Sequence, residues 1–330
     1  MMKYPKFKAC AAHVAPVFLD ADATIVKALS LIEEAARNGA RLIAFPESFV
    51  PAFPVWAGVQ PPIQNHEFFK KLAAQSIVVP GPQVNLLCEA ARDHDIFVSI
   101  GISERSSASV GCIWNTNLLI GADGVLLNHH RKLVPTYYEK LIWAPGDGAG
   151  LQVSDTEIGK VGMLICGENT NPLARYALIA QGEQVHISSY PPVWPTRPSN
   201  QPGRYDLASA IRIRAGAHSF EGKVFNVVSS AFLDKASLDA LNFSREARET
   251  LEQSPQAVTM VIGPSGEQVS DALCDEEGLL YHEIDVSQCV EPKQFHDVVG
   301  YYNRFDVFDL RVNRKRIEPI VFNDSVGTNR

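Results

Sequence analysis

The sequence lacks any long apolar run. None of its hydrophobic stretches reaches the roughly 18–20 residues needed to cross a bilayer, so no membrane-spanning helix is expected. It also lacks an excess of basic charge. Lys and Arg number 30 against 37 Asp and Glu, a net charge of −7. Phosphate backbones require a basic face, so this balance excludes nucleic acid as a natural partner. There is no CxxC pair and no closely spaced cysteine framework. The six cysteines, Cys10, Cys88, Cys112, Cys166, Cys274 and Cys289, stand singly. In a chain of 330 residues they read as free thiols in a reducing compartment. No glycine-rich phosphate loop is present: Gly146-Asp147-Gly148 and the pair Gly159/Gly162 lack strand–loop–helix spacing. His129 and His130 are adjacent, so their side chains diverge on a strand. With no Cys, Asp or Glu at ligand spacing around them, neither a metal nor a cofactor is expected.

What is there is ordinary globular material, 46% hydrophobic, in a length that allows one large or two smaller domains. Lys3, Lys6 and Lys8 precede an apolar stretch and loosely imitate a secretory signal, but His13 and Pro16 interrupt it. The stretch is read as a first strand over residues 7–14, and the protein as cytoplasmic. Asp20 and Asp22 offer N-caps to a helix with apolar residues at 25, 26, 29, 32, 35 and 36, closed by Gly39. Strands are expected at 41–45, 96–102, 159–166, 185–190 and 224–230, with helices at 84–93, 172–181 and 207–221. Two hairpins are expected. One turns at Ala122-Asp123-Gly124. The other closes the fold by pairing 258–262 with 279–285 across Pro264-Ser265-Gly266. Strands and helices alternate but hairpins interrupt them, which indicates an α/β layered fold with mixed sheets. The proline-rich piece 191–202 is the best boundary candidate, yet regular structure resumes directly after it, so one domain is expected over residues 1–310. Residues 311–330 form a C-terminal tail whose basic piece, with Arg311, Arg314, Lys315 and Arg316, is read as a solvated charged run or an oligomer contact.

Three positions stand out. Glu47 follows a buried strand at the opening of a loop, where open α/β folds place function, although most single glutamates are merely solvated. Cys166 ends a strand and precedes a helical turn whose amides favour a thiolate, although most free cysteines are inert core filling. Lys132, in the run His129-His130-Arg131-Lys132-Leu133, reads by itself as a basic surface turn. The other cysteines read as filling, and His186, on an alternating strand, as structural.

Together these positions form a pattern. The stretch LIAFPESFVPAFPVW carries Glu47, HRKLVPTYYEKLIWAPGDG carries Lys132 and Glu139, and GKVGMLICGENTNPLARYALIAQGEQVHISSYP carries Cys166. WNTNLLIGADG, GLLYHEIDV and GYYNRFDVF support them. In this order the motifs resemble the nitrilase branch of the carbon–nitrogen hydrolase superfamily over nearly the whole chain. The resemblance implies a four-layer αββα sandwich with two mixed β-sheets. It further implies a homodimer that builds a larger, spiral homo-oligomer.

The same resemblance implies a nitrile as the small-molecule substrate and the carboxylic acid and ammonia as products. Cys166 is then the nucleophile, Glu47 the general base, Lys132 the stabiliser of developing charge and Glu139 its orienting partner. One residue departs from the pattern: Gly167 stands where nitrilases usually carry Trp. This is expected to enlarge the space beside Cys166 and to bear on the ratio of acid to amide. Gly167 is counted with Phe53, Trp56, Tyr138, Tyr190 and Trp194 as pocket residues, although aromatics after strands equally serve as core. The alternatives are an amide-releasing nitrile or cyanide hydratase, an amidase of the same superfamily, and a non-catalytic scaffold.

Overall fold

The structure, a computed structural model, describes residues 4–320. Lys3 and the end of the tail, residues 321–330, lie outside them. β1 (Lys6–His13) runs into α1 (Ala21–Arg37) and β2 (Ala40–Ala44). The Asp20 side chain caps α1 by accepting from the Ala23 amide, and Gly39 ends it with φ +82°. Helices α2 (His66–Gln75) and α3 (Pro82–Asp93) precede β3 (Phe97–Arg105), β4 (Ile113–Ile120) and β5 (Leu126–Arg131). The second half has β6 (Ser154–Thr156), β7 (Gly159–Ile165), α4 (Pro172–Ile179), β8 (Val185–Tyr190), α5 (Leu207–Gly222) and β9 (Phe225–Ser230). It ends with α6 (Lys235–Leu241), α7 (Arg245–Glu252), β10 (Met260–Ile262), β11 (Gly278–Asp285) and α8 (Val290–Phe295).

Two mixed sheets result. One has the order β11-β1-β2-β3-β4-β5, parallel across β1, β2 and β3. The other has the order β10-β9-β8-β7-β6, parallel across β7, β8 and β9. Strand alternation divides their side chains between two cores. On β1, Cys10 and Ala12 pack outward against Ile25 and Ile32 of α1 and Leu87 of α3. Ala9 and Ala11 pack inward, in the layer that holds Val161 and Met163 of β7 and Ile187 of β8. The outer face of the second sheet is covered by α4, through Ala174 and Leu178, and by α5, through Leu207, Ile211 and Ala215. This is the four-layer αββα arrangement, with the sheets back to back in the middle. No helix among the described residues is long and apolar enough to cross a membrane.

The closing hairpin is corrected. The turn at 264–266 forms, but the arm it returns is the irregular stretch through Gln268 and Leu273, which bridges back to Ile262 and Thr259. β11 then leaves for the other sheet and pairs antiparallel with β1 over its full length. There Leu280 and Ile284 enter the layer between the sheets, and β1 gains a partner at an otherwise open edge. Part of the tail also differs from a purely solvated run. Arg314 donates to Gln152 Oε1 (2.6 Å), and Arg316 donates to Asp147 Oδ1 (3.1 Å) and the His129 carbonyl (2.7 Å).

A buried carboxylate ties together the strands that carry the lysine motif. Glu104 of β3 accepts from Thr116 Oγ1 of β4 (2.7 Å) and from His129 Nε2 (2.8 Å) and Arg131 Nε (3.0 Å) of β5. Burial opposes its charge, but the hydrogen bonds and charges of His129 and Arg131 win and hold it down at about 2. A carboxyl lowered from 4.5 contributes stability above its unfolded value and loses it as pH falls through about 2. The shift corresponds to about 3 kcal/mol. Glu104→Gln is therefore expected to lower unfolding free energy at pH 7 by about that amount and to flatten the loss between pH 4.5 and 2, measured by urea titration across pH. An unchanged acid limb counts against this role.

Candidate active site

Each of the three motifs places its key side chain just beyond a strand end. Glu47 follows β2, and its loop lies flat on β3 because Gly101 has no side chain; a Cβ there would overlap the Pro46 carbonyl and the Ser48 amide. Lys132 follows β5, its amide donating to the Asn115 carbonyl (2.7 Å) and its carbonyl accepting from the Gly146 amide (2.8 Å). Glu139 sits in a 3₁₀ turn, Tyr137–Leu141, where its Oε2 accepts from the Thr136 amide (2.7 Å). Cys166 follows β7. Ser48, Tyr137 and Cys166 all have positive φ, at 47°, 49° and 48°. Non-glycine residues seldom adopt this conformation, and its concentration in all three motifs marks a site held by surrounding structure.

The four side chains converge. Lys132 Nζ donates to Glu47 Oε1 and to Glu139 Oε2, each at 2.6 Å. A carboxylate oxygen of Glu47, one of Glu139 and Cys166 Sγ lie within 4.8 Å of one another. All four residues are buried. Such a donor set could hold a cation, and the ammonium of Lys132 is itself a cation bound to both carboxylates. Glu47 Oε2 and Glu139 Oε1 have no hydrogen-bond partner among the described residues. Each carboxylate thus has one oxygen engaged and one without a hydrogen-bond partner.

Burial and neighbouring charge set the protonation states. Burial opposes the Lys132 ammonium, but Glu139 and Glu47 outweigh it and hold the lysine protonated well above its ordinary range. Burial pushes Glu139 up to about 7, the Lys132 charge opposing and the Glu47 charge adding to this. Burial, followed by the Glu47 charge, raises the Cys166 thiol well above its ordinary value. The expectation of a thiolate favoured by helix amides is corrected. The helical turn after Cys166 spans only Cys166–Thr170, and desolvation of the buried sulfur dominates. Cys166 therefore rests as a thiol, with the Glu47 carboxylate close by.

The aromatic residues fall into two groups. Phe53, Trp56, Tyr138, Tyr190 and Trp194 share one buried cluster with Cys166. Tyr138 stacks on Trp194 with centroids 4.3 Å apart, and Phe53 meets Trp194 and Trp143 edge-on at 6.0 and 5.5 Å. Trp56 instead pairs with Phe68 (5.3 Å) and Phe18 (6.0 Å). A cavity of about 10 Å³, the space of a single water, is lined by Glu47, Ser48, Ala52 and Phe53. The expectation that Gly167 enlarges the space beside Cys166 is corrected. A Cβ there would sit 2.6 Å from Thr136 Oγ1, so the lysine loop already fills the position.

Two supporting residues were not singled out from sequence. Asn115 of β4 donates from Nδ2 to Glu47 Oε1 (2.7 Å). Glu168 accepts from the Leu133 amide (2.6 Å), the Ile165 amide (2.8 Å) and His130 Nε2 (2.9 Å). It thereby fastens the lysine loop to the cysteine turn. The only sequence signal for Glu168 was its place two residues after Cys166. Asn115 had none beyond its motif, since strand pairing decides what it faces. Glu168→Gln is expected to lower turnover by about tenfold or more, because the amide's NH₂ end meets an amide donor. An unaltered rate in steady-state assays refutes the fastening role.

A thiol, a lysine and two glutamates enclosed at the strand ends of an αββα sandwich define a class of hydrolase, and comparison with known proteins places the chain in it. The carbon–nitrogen hydrolase family model matches residues 8–294, and the chain belongs to that family. The chain is 34% identical to a nitrilase of Paraburkholderia phymatum over 95% of its own length and 88% of the relative's. It is 35% identical to an aliphatic nitrilase of Rhodococcus rhodochrous over 99% and 88%. A carbon–nitrogen hydrolase structure from Helicobacter pylori shares the fold, with a TM-score of 0.70 at 18% identity over 92% of this chain and 97% of that one. Within the family, this protein is a nitrilase-branch member, a nitrilase-type hydrolase.

Proposed function

We propose that the protein hydrolyses an organic nitrile to the carboxylic acid and ammonia through a covalent intermediate on Cys166. The observation that carries the reading is Lys132 Nζ bridging Glu47 and Glu139 at 2.6 Å beside the buried thiol. Glu47 Oε2, the carboxylate oxygen without a partner, takes the thiol proton as sulfur adds to the nitrile carbon. The nitrile nitrogen gains the proton, giving a thioimidate. Glu47 then draws a proton from water as it adds. The tetrahedral intermediate expels ammonia and leaves an acyl thioester. A second water releases the acid and restores the thiol. Two waters are consumed for each ammonia. Lys132 stabilises charge on the nitrogen and later on the oxyanion, a contribution of about 3 kcal/mol for a preorganised donor. Glu139 holds Lys132 in place. Phe53, Tyr138, Tyr190 and Trp194 form the wall against the apolar part of the substrate.

The test measures ammonia, acid and amide from a panel of nitriles and their matching amides. Acid and ammonia in equal amounts from a nitrile support the reading. Amide as sole product, or turnover of amides alone, overturns it. At position 167 the crowding by Thr136 gives a further expectation. Gly167→Trp lowers turnover by about tenfold or more, and adding Thr136→Ala recovers part of it, because the two positions share one space. A fully active Gly167→Trp enzyme sinks that coupling.

We also infer one catalytic domain over residues 1–310, since segments on both sides of residues 191–202 enter the same buried cluster. The exposed Tyr301, Tyr302, Phe305 and Phe308, next to the tail, support a homodimer that extends into a larger spiral homo-oligomer. A thiol nucleophile works in a reducing interior, which supports a cytoplasmic location.

A further inference from the structure

Behind the cysteine turn lies a second buried cluster that the mechanism above does not use. Glu183 precedes β8, His186 lies on it, and His218 comes from α5; all three are buried. His186 Nδ1 lies 2.7 Å from Glu183 Oε1, and His218 Nε2 lies 2.7 Å from Glu183 Oε2. The two imidazoles stack with centroids 3.8 Å apart. Gly162 of β7 makes room for the carboxylate, since a Cβ there would overlap Glu183 Oε1.

The protons in this cluster can be assigned from the asparagine at its end. Asn169 Nδ2 donates to the carbonyls of Cys166 (3.1 Å) and Leu164 (3.3 Å). Its Oδ1 must then be the atom facing His186 Nε2 (3.0 Å) and Ser188 Oγ (3.1 Å). His186 Nε2 therefore carries a hydrogen. Nδ1 of a neutral ring would then be a bare lone pair facing a carboxylate oxygen at 2.7 Å, so a proton must lie between them. His218 donates from Nε2 to the other oxygen and has no partner at Nδ1, as a neutral ring does. Arg175 is the other charged side chain felt by the cluster. Burial opposes the Glu183 charge, but His186 and His218 outweigh it and hold the carboxyl down at about 2, in keeping with a shared proton on the His186 imidazole.

We propose that Glu183 and His186 form a buried carboxylate–imidazolium pair, and that this pair, through Asn169, holds Cys166 in the left-handed conformation that aims its thiol at Glu47. Glu183, His186 and Asn169 are positioning residues. The cation polarises the asparagine amide and strengthens its grip on the Cys166 carbonyl, in the turn where φ is +48°. The inference rests on Cys166 as nucleophile, but its charge state is independent of the substrate.

The test begins with the wild-type protein, labelled with ¹⁵N-histidine and examined by NMR. Both ring nitrogens of His186 are expected to carry a hydrogen at pH 7, as Asn169 Oδ1 at Nε2 and Glu183 Oε1 at Nδ1 require. A neutral His186 at pH 7, or a metal ion bound in stoichiometric amount by Glu183, His186 and His218, overturns the proposal. Glu183→Gln keeps both contacts but removes the charge, the amide donating to His186 Nδ1 and accepting from His218. It is expected to reduce kcat by about 10- to 100-fold with KM within about twofold, and to slow iodoacetamide alkylation of Cys166. A folded Glu183→Gln protein with unchanged kcat and alkylation rate overturns it. Asn169→Asp, which keeps the His186 contact but puts oxygen where Nδ2 grips the turn, is expected to show the same losses, and normal rates in it count equally against the proposal. Should no nitrile be turned over at all, the assigned reaction fails, while the NMR and alkylation results still decide this inference.

Discussion

Cys166→Ala is expected to abolish nitrile turnover, a loss of about 10⁴-fold or more, while leaving the protein folded. The size follows from the chemistry. Without sulfur there is no thioimidate, and water must attack a weakly electrophilic carbon in a site built to hold a thiol. The small structural cost follows from the packing. The buried thiol has its ionised form disfavoured by burial and by Glu47, and alanine removes one atom from the aromatic cluster around it. The cost is therefore about 1 kcal/mol, visible as a small shift in melting temperature. Product analysis with a sensitive acid assay, alongside thermal unfolding, checks both halves. Substantial acid production by the folded variant would falsify the nucleophile assignment.

Lys132 carries the second large effect, and here activity and stability fall together. Lys132→Met leaves Glu47 and Glu139 buried without their shared counter-ion. Removing one member of a buried pair typically costs about 3–5 kcal/mol. Glu139, already raised to about 7, takes up a proton and offsets part of that cost. The sign with pH follows. A raised carboxyl is accommodated when protonated, so the variant is expected to be least impaired in stability near pH 5 and to weaken as pH rises through 7. Lys132→Arg keeps the charge but not the shape. A planar guanidinium does not fit where one ammonium reaches two carboxylates at 2.6 Å, and turnover is expected to fall by about 10³-fold. Steady-state rates and urea unfolding across pH test both variants. A Lys132→Arg enzyme with a near-normal rate removes the charge-stabilising role from this residue.

Much of the fold was legible locally. The caps at Asp20 and Gly39, the Asp123-Gly124 turn and the near-continuous apolar run of β7 are signals within a few residues of the elements they specify. The closing strand was not, because 279–285 alternates equally well for either sheet. Its partner is chosen by which edge is open and which layer accepts Leu280 and Ile284. The site divides in the same way. The motif order pointed to Glu47, Lys132, Glu139 and Cys166. Gly167 was misread as open space because its neighbour Thr136 lies 31 positions earlier in the chain.

By itself, the sequence determined most of the strand and helix pattern, because periodicity and caps are written along the chain, and the motifs' resemblance to a known family supplied the sandwich class and the candidate groups at the strand ends. Only the tertiary structure decided how those groups are charged. A thiol near a helical turn looks activated in one dimension. Enclosed beside Glu47 and walled by aromatic rings, it is held neutral, and a histidine that read as mere core is brought, through Asn169, behind it. Desolvation and partner charge depend on what surrounds an atom in three dimensions, and no local stretch of sequence contains that information.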